Sequence, residues 1–157
     1  DLKAIIAKIR FCDKKAQAMK KTAKILVDKY HGDVPNTVAK LTKLPGVGTK
    51  TAMEVMMVGW DKPAGIAVDT HVHRICNRLG WFDPETQTND KTRKALESWL
   101  PKEKWGKDGI SWCFPGFGQM VCTAKNPLCS TCPVTDLCPS SGKIKAPTSK
   151  KRKTAKK

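Results

Sequence analysis

The chain has 157 residues, 39% of them hydrophobic, and a formal net charge of +16. This length suits one domain with a real core or two small lobes. Its seven cysteines are an odd number with four inside residues 122–138, which disfavours a secreted disulfide framework and favours a metal or cluster site in a reducing compartment. Because no apolar run approaches the ~18 residues of a membrane span, nucleic acid is a better partner than a membrane for so basic a chain.

The positive charge is unevenly distributed along the chain. Residues 143–157 contain eight Lys or Arg and no acidic residue, which leaves +8 for residues 1–142. Apolar residues also become rare after residue 139, so we predict a disordered basic tail over 140–157. The four basic residues 150–153 are typical of a nuclear localisation signal or an additional DNA tether. A tail that only keeps the protein soluble is the alternative.

Helical periodicity with scattered Pro and Gly breaks predicts an all-α fold, since no apolar–polar alternation lasts beyond a few residues. Apolar stripes predict two helices in residues 1–30 and one over 69–79. Further helices are predicted over 90–100 and toward the end of 105–121, where Pro115 should kink or interrupt the helix.

Residues 44–52, LPGVGTKTA, predict a hairpin between two helices. Pro45 and the glycines cannot continue the preceding helix, because Pro lacks the N–H group and Gly tolerates positive φ. Thr49 is placed to cap a second helix, with Lys50 in its first turn. Backbone N–H groups at such a turn can bind phosphate, although an ordinary αα-hairpin is the alternative. The candidate phosphate contacts are Gly46, Val47 and Gly48.

Lys50 and Asp69 are the candidate reactive side chains. A lysine can attack carbonyl-like carbons as the neutral amine, but an exposed lysine facing Glu54 at i, i+4 is the simpler interpretation. Asp69 follows a buried apolar run and precedes a helix, a position typical of an N-cap. If it faced Lys50, its carboxylate could instead serve as an acid/base group or stabilise positive charge on a reacting sugar.

The four clustered cysteines have the spacing C-x6-C-x2-C-x5-C. Four thiolates so close in sequence can enclose a tetrahedral zinc ion or a four-iron cluster, and spacing alone does not choose between them. Lys125 lies in the loop between the first two cysteines, where it could reach a phosphate or simply face solvent. The candidate metal ligands are Cys122, Cys129, Cys132 and Cys138.

Taken together, these motifs resemble the endonuclease III branch of the helix–hairpin–helix DNA glycosylases. The resemblance rests on LPGVG-x-K-x-A at 44–52, VDTHV-x-R at 68–74, NR at 77–78 and the cysteine spacing of 122–138, and it covers about 1–139. The sequence near Asp69 is more similar to eukaryotic members. Several helices precede the matching segment in that family, so we expect an N-terminally truncated homologue.

The resemblance implies a bifunctional DNA glycosylase and AP lyase for oxidised pyrimidines, acting on a nucleotide flipped out of double-stranded DNA. Lys50 would attack the sugar C1′, Asp69 would stabilise charge on the sugar and help to activate Lys50, and the hairpin and Lys125 would contact the DNA backbone. The cysteines would hold a [4Fe–4S] cluster with a structural or DNA-positioning role. The alternatives are an adenine-mismatch glycosylase, which generally lacks lysine at this position, and a non-enzymatic DNA-binding remnant.

The expected organisation is a partial helical-barrel lobe over 1–68 and a second helical lobe over 69–139 that ends in the cluster loop, followed by the tail. A DNA-repair role makes a nuclear location the expectation, with a mitochondrial one in addition if a targeting segment precedes residue 1. We expect a monomer that does not bind membranes.

Overall fold

The computed structural model describes residues 1–106 and 109–144, and these residues form helices and turns without a β-strand. This confirms the predicted all-α class. None of the helices in the described part of the chain is long and apolar enough to cross a membrane. The predicted basic tail lies outside the described residues beyond residue 144.

The chain divides into two compact units. The first unit, called the hairpin unit here, comprises Asp1–Ala67 and Leu96–Gly109, and the second, the cysteine unit, comprises Val68–Ala95 and the described residues from Ile110. The division differs from the lobes expected over 1–68 and 69–139 because 96–109 belongs with the first unit.

The hairpin unit starts with a short helix and a long one, as predicted for residues 1–30. Its helices are α1 (Leu2–Ile5), α2 (Cys12–Tyr30), α3 (Val38–Leu41), α4 (Thr49–Glu54), which continues as a π-helical turn over Val55–Gly59, and α7 (Lys102–Trp105). Helix α2 ends at His31 and Gly32, both with positive φ, and the Gly32 amide donates to the Leu26 carbonyl. Such a left-handed ending is a common helix stop signal.

An apolar core fixes the two helices on either side of the hairpin. Leu41, Leu44, Ala52 and Met56 are buried together, and half-buried side chains of α2 pack against them. The core therefore holds the turn at 45–48 from both flanks.

The cysteine unit contains two whole helices and most of a third. It contains α5 (Thr70–Arg78), most of α6 (Asn89–Glu97), α8 (Ile110–Met120) and two short 3-10 turns, Cys129–Thr131 and Thr135–Leu137. Val72, Ile75 and Cys76 of α5 are buried. Burial raises the pKa of the Cys76 thiol to about 12, so this cysteine packs as an apolar core residue.

Two local details differ from the predictions. Pro115 was predicted to kink or interrupt a helix, and it lies inside α8 without interrupting it. Gly118 of α8 lies so near His71 that an added Cβ would come within 2.7 Å of its ring. Thr49 is the first residue of α4 and not its cap, since the extended residue before the helix is Gly48 (φ −89°, ψ 175°).

Candidate functional site

The hairpin turn is held closely against α2. Gly46 has φ +78°, and a Cβ added there would lie 2.8 Å from the Cβ of Ala18. The Thr22 hydroxyl of α2 donates to the carbonyl of Pro45 at 3.1 Å. Only glycine combines this left-handed backbone with so close an approach, so the motif residue at 46 is explained by geometry.

The predicted phosphate contacts divide into two kinds. The Val47 amide donates to the Leu44 carbonyl at 3.1 Å, and the Val47 side chain packs on the core. Gly46 and Gly48 are exposed, and their amides donate to no acceptor among the described residues. Val47 thus shapes the turn, and the two glycine amides are the donors that remain for an anion.

Lys50 lies on the first turn of α4, directly after those amides. Its Nζ forms an ion pair with Glu54 at i, i+4, and both side chains are 39% exposed. This pairing is the one that the simpler interpretation of Lys50 predicts. An exposed pair of this kind is weak, about 0.3–0.5 kcal/mol, so it leaves the amine accessible to a bound molecule.

Asp69 is the N-cap of α5, as its sequence position indicates. One carboxylate oxygen accepts from the amides of His71 at 2.8 Å and Val72 at 2.9 Å. The other oxygen accepts no hydrogen bond from the described residues. Capping and a role toward a substrate are therefore compatible, because they use different oxygens.

All four clustered cysteines line one cavity of the cysteine unit. Its remaining wall is mostly apolar and includes Ile75, Leu79, Phe117 and Val134. The space between these walls, counted together with the adjoining solvent, is about 390 Å³. None of the four thiols forms a disulfide.

This cavity fits a cluster better than a single ion. In the part of the chain that the structure describes, no three His, Cys, Asp or Glu side chains converge as ligands of one metal ion. A four-iron cluster is larger and takes one thiolate at each iron, so its ligands stand further apart around an apolar cavity. The residues present thus fit the iron–sulfur option that the spacing left open.

Two arginines of α5 hold the start of the cysteine loop, a role that sequence reasoning missed. Arg74 donates to the carbonyls of Cys122 and Gly118 at 2.8–3.2 Å. Arg78 donates to the carbonyls of Thr123 at 2.7 Å and Ala124 at 2.8 Å. Burial, and then the positive charge of Arg78, lower the pKa of Arg74 below its ordinary value.

The i, i+4 spacing of these arginines was visible in the sequence. Two like charges on one helix face repel each other. Their presence therefore indicates that nearby hydrogen-bond acceptors stabilise both guanidinium groups. Which acceptors they meet was not predictable, because the carbonyls lie 44–48 residues further along the chain.

Lys125 and the two histidines of α5 differ in exposure and contacts. Lys125 is exposed on the loop between Cys122 and Cys129. The ring of His71 lies 3.1 Å from Arg74 Nη2, and that of His73 lies 2.7 Å from the Thr92 hydroxyl.

A helical chain with a glycine hairpin and a four-cysteine cavity is the combination expected of a DNA-repair glycosylase. Residues 1–102 match the HhH-GPD superfamily of base excision DNA repair proteins, and residues 122–138 match the iron–sulfur binding domain of endonuclease III. The chain therefore belongs to the HhH-GPD superfamily, and its four-cysteine loop is the binding site of a [4Fe–4S] cluster.

Relatives and solved structures agree with this assignment. The chain is 46% identical to endonuclease III homolog 2, chloroplastic, of Arabidopsis thaliana and 48% identical to endonuclease III-like protein 1 of Gallus gallus. The matches cover 97% and 87% of this chain but only 40% and 48% of those proteins. The chain thus spans less than half the length of these relatives.

Two solved structures are similar in fold and sequence. One is a non-covalent endonuclease III–DNA complex, with a TM-score of 0.78 and 38% identity, and covers 90% of this chain and 64% of that one. The other is a trapped endonuclease III–DNA covalent intermediate, with a TM-score of 0.78 and 39% identity, at 90% and 65% coverage.

Proposed function

We propose that this protein is a base-excision-repair glycosylase with AP lyase activity, which removes oxidised pyrimidines from double-stranded DNA. The observation that carries the proposal is the half-exposed Lys50 amine on the turn that follows two unpaired, exposed glycine amides. An amine beside a phosphate-binding turn is placed to react with a sugar of the bound strand.

The proposed reaction begins with the neutral amine of Lys50. The amine attacks C1′ of the flipped nucleotide, the glycosidic C1′–N bond breaks, and the base leaves with the bonding electrons and takes up a proton. The C1′–O4′ bond then breaks and O4′ takes up the proton that the amine nitrogen loses, which opens the sugar ring and gives an iminium between Lys50 and C1′. Loss of a proton from C2′ then breaks the bond between C3′ and its oxygen, which nicks the strand by β-elimination.

The other site residues are proposed to serve this chemistry. The free carboxylate oxygen of Asp69 stabilises positive charge on the sugar and helps to activate Lys50. The amides of Gly46 and Gly48, together with Lys125, hold the phosphate backbone without reading sequence. The cluster has a structural or positioning role, and a nucleus or DNA-containing organelle is the proposed location.

The test is borohydride trapping on a duplex with one abasic site. We expect a covalent adduct with the wild type and none with Lys50→Ala. Glu54→Gln is the matched control, because it breaks the same ion pair and costs the same small stability but keeps the amine. Its adduct should persist.

The trapping experiment also decides the main alternative. The Lys50–Glu54 pair favours a purely structural lysine, and then the chain would bind DNA without reacting. Retained duplex binding with no adduct in the wild type would contradict the lyase proposal. Release of adenine from a mismatch, with no action on an oxidised pyrimidine, would contradict the proposed substrate.

A further inference from the structure

Arg78 differs from every other residue around the four-cysteine cavity. Of the described residues that line the cavity, it is the only one with a positive charge. Its Nη1 donates to the sulfur of Cys122 at 3.3 Å and to the Thr123 carbonyl at 2.7 Å, while its Nη2 donates to the Ala124 carbonyl. One guanidinium thus contacts three consecutive residues, the first of which is a cluster ligand.

Further hydrogen bonds hold the same loop at its start and at its end. The Thr123 hydroxyl donates to the Asn126 carbonyl at 2.7 Å, and the Leu128 amide donates to the Val121 carbonyl at 2.9 Å. At the other end of the loop the thiol of Cys138 lies 3.5 Å from the carbonyl oxygen of Arg78. The fork of Arg78 therefore closes a turn that is already folded, and it brings the Cys122 sulfur toward α5.

Arg74 provides an internal comparison. It donates to the backbone of the same loop, at the carbonyls of Cys122 and Gly118, and its guanidinium also interacts with the Cys122 side chain, which acts against the lowering of its pKa. It also does not line the cavity. The two arginines thus both hold the loop, but Arg78 is the one that lines the cavity, with its Nη1 3.3 Å from the Cys122 sulfur.

We propose that Arg78 is a positioning residue for the iron–sulfur cluster, which slows loss of iron and raises the cluster's reduction potential through its hydrogen bond to Cys122. Four thiolates bring negative charge into a cavity with apolar walls, and each added electron increases that charge. A cationic N–H donor at one sulfur stabilises the more negative, reduced form, since hydrogen bonds to the sulfurs and net charge set the potentials of such clusters.

The hydrogen bonds of Arg78 should also slow the loss of iron from the cluster. Residues that orient metal ligands typically contribute about 10–100-fold to metal affinity. Removal of Arg78 leaves the Cys122 turn without its three hydrogen bonds. We therefore expect iron to pass to a chelator at least about tenfold faster from a variant that lacks them.

The experiment compares Arg78→Met, Arg78→Lys and Arg74→Met with the wild type, each as the full chain with its cluster. Methionine keeps the length of the stem and removes charge and donors. Lysine keeps the charge but has a single nitrogen that cannot make the three-residue fork. The readouts are the rate of iron release to a chelator, followed by visible absorption, and the reduction potential from protein-film voltammetry.

Faster iron release is expected in both Met variants, because each loses contacts to the loop. The potential separates them: it should fall most in Arg78→Met, less in Arg78→Lys, and least in Arg74→Met. A fall in Arg78→Met no larger than in Arg74→Met would overturn the proposal. If Arg78→Met cannot keep its cluster through purification, an Arg78→Lys variant with the wild-type potential would overturn it in the same way.

Discussion

The hairpin and the cysteine loop are both short irregular segments that carry candidate site residues, yet different forces hold them. The hairpin turn rests on apolar packing, with Leu44 and Val47 in a core and Gly46 against α2. The cysteine loop has two short 3-10 turns and few buried side chains, and it is tied to α5 by hydrogen bonds from arginine.

The comparison shows two ways to fix a functional loop. When a turn packs on an apolar core, folding orients its backbone N–H donors and no bound ligand is needed. A loop whose polar side chains face a cavity needs a ligand to join them, and free energy of cluster binding then becomes free energy of folding. The hairpin should thus survive loss of the cluster, and the cysteine unit should not.

The largest effect is expected from removal of one of the four proposed cluster ligands. Cys132→Ser should abolish the iron–sulfur absorption and the amide protection of α5 and α8 against hydrogen exchange, while α2 and α4 stay protected. Cys113→Ser is the control, since Cys113 is an exposed thiol outside the loop. Equal loss of protection in α2 would show that the hairpin unit also depends on the cluster.

The sequence was sufficient where the determinants are local. The span of α5 and its cap at Asp69 follow from a polar residue between an apolar run and a helical stripe. The end of α2 at Gly32 and the hairpin at 45–48 follow from glycine and proline in the same way. The exposed lysine with Glu54 at i, i+4 was also one of the two predicted interpretations.

The remainder depends on contacts between distant residues. Pro115 was predicted to kink or interrupt a helix from its local chemistry, whereas the close approach of Gly118 in the same helix to His71 joins residues far apart in sequence. The fork of Arg78 binds carbonyl oxygens, which every residue possesses, so no side-chain pattern could identify its acceptors. The return of 96–109 to the hairpin unit likewise depends on tertiary contacts, including the Ile66 amide donating to Glu97.

A smaller effect is expected from one methyl group in the hairpin. Gly46→Ala should cost about 1–2 kcal/mol for the left-handed backbone, with a further loss for the approach to Ala18. Gly48→Ala adds the same group where φ is −89° and nothing lies within 4 Å, so its stability should stay within about 0.5 kcal/mol of wild type. Urea denaturation measures both.

The affinity of Gly46→Ala and Gly48→Ala for duplex DNA tests phosphate binding separately from stability. If both glycine amides hold phosphate, Gly46→Ala should weaken binding because the turn must shift, and Gly48→Ala should bind more nearly as the wild type does. Equal stabilities for the two variants would contradict the packing argument for position 46, whatever their affinities for DNA.

The smallest effect concerns an interaction that uses neither the hairpin core nor the cysteine loop. Hydrogen bonds from Arg93 and Lys94 lower the pKa of Asp90 on the first turn of α6. A carboxyl group whose pKa is lowered by folding stabilises the protein above its unfolded pKa, about 3.9, and that contribution is lost as the pH falls through the folded value. Asp90→Asn should therefore lower the Tm slightly at pH 7.

The difference in Tm between wild type and Asp90→Asn should narrow as the pH is lowered below about 3.9. It should also narrow in high salt, because the carboxylate is exposed and its ion pairs are screened. A difference that stays constant with pH and salt would mean that the side chain acts through helix propensity and not through charge. The last residues of α6 lie in the hairpin unit. If the whole helix folds with that unit, the effect of Asp90→Asn on the Tm should be the same with and without a Cys132→Ser substitution. Measuring the Tm of Cys132→Ser and of Cys132→Ser/Asp90→Asn across the same pH range thus shows which of the two units stabilises the start of α6.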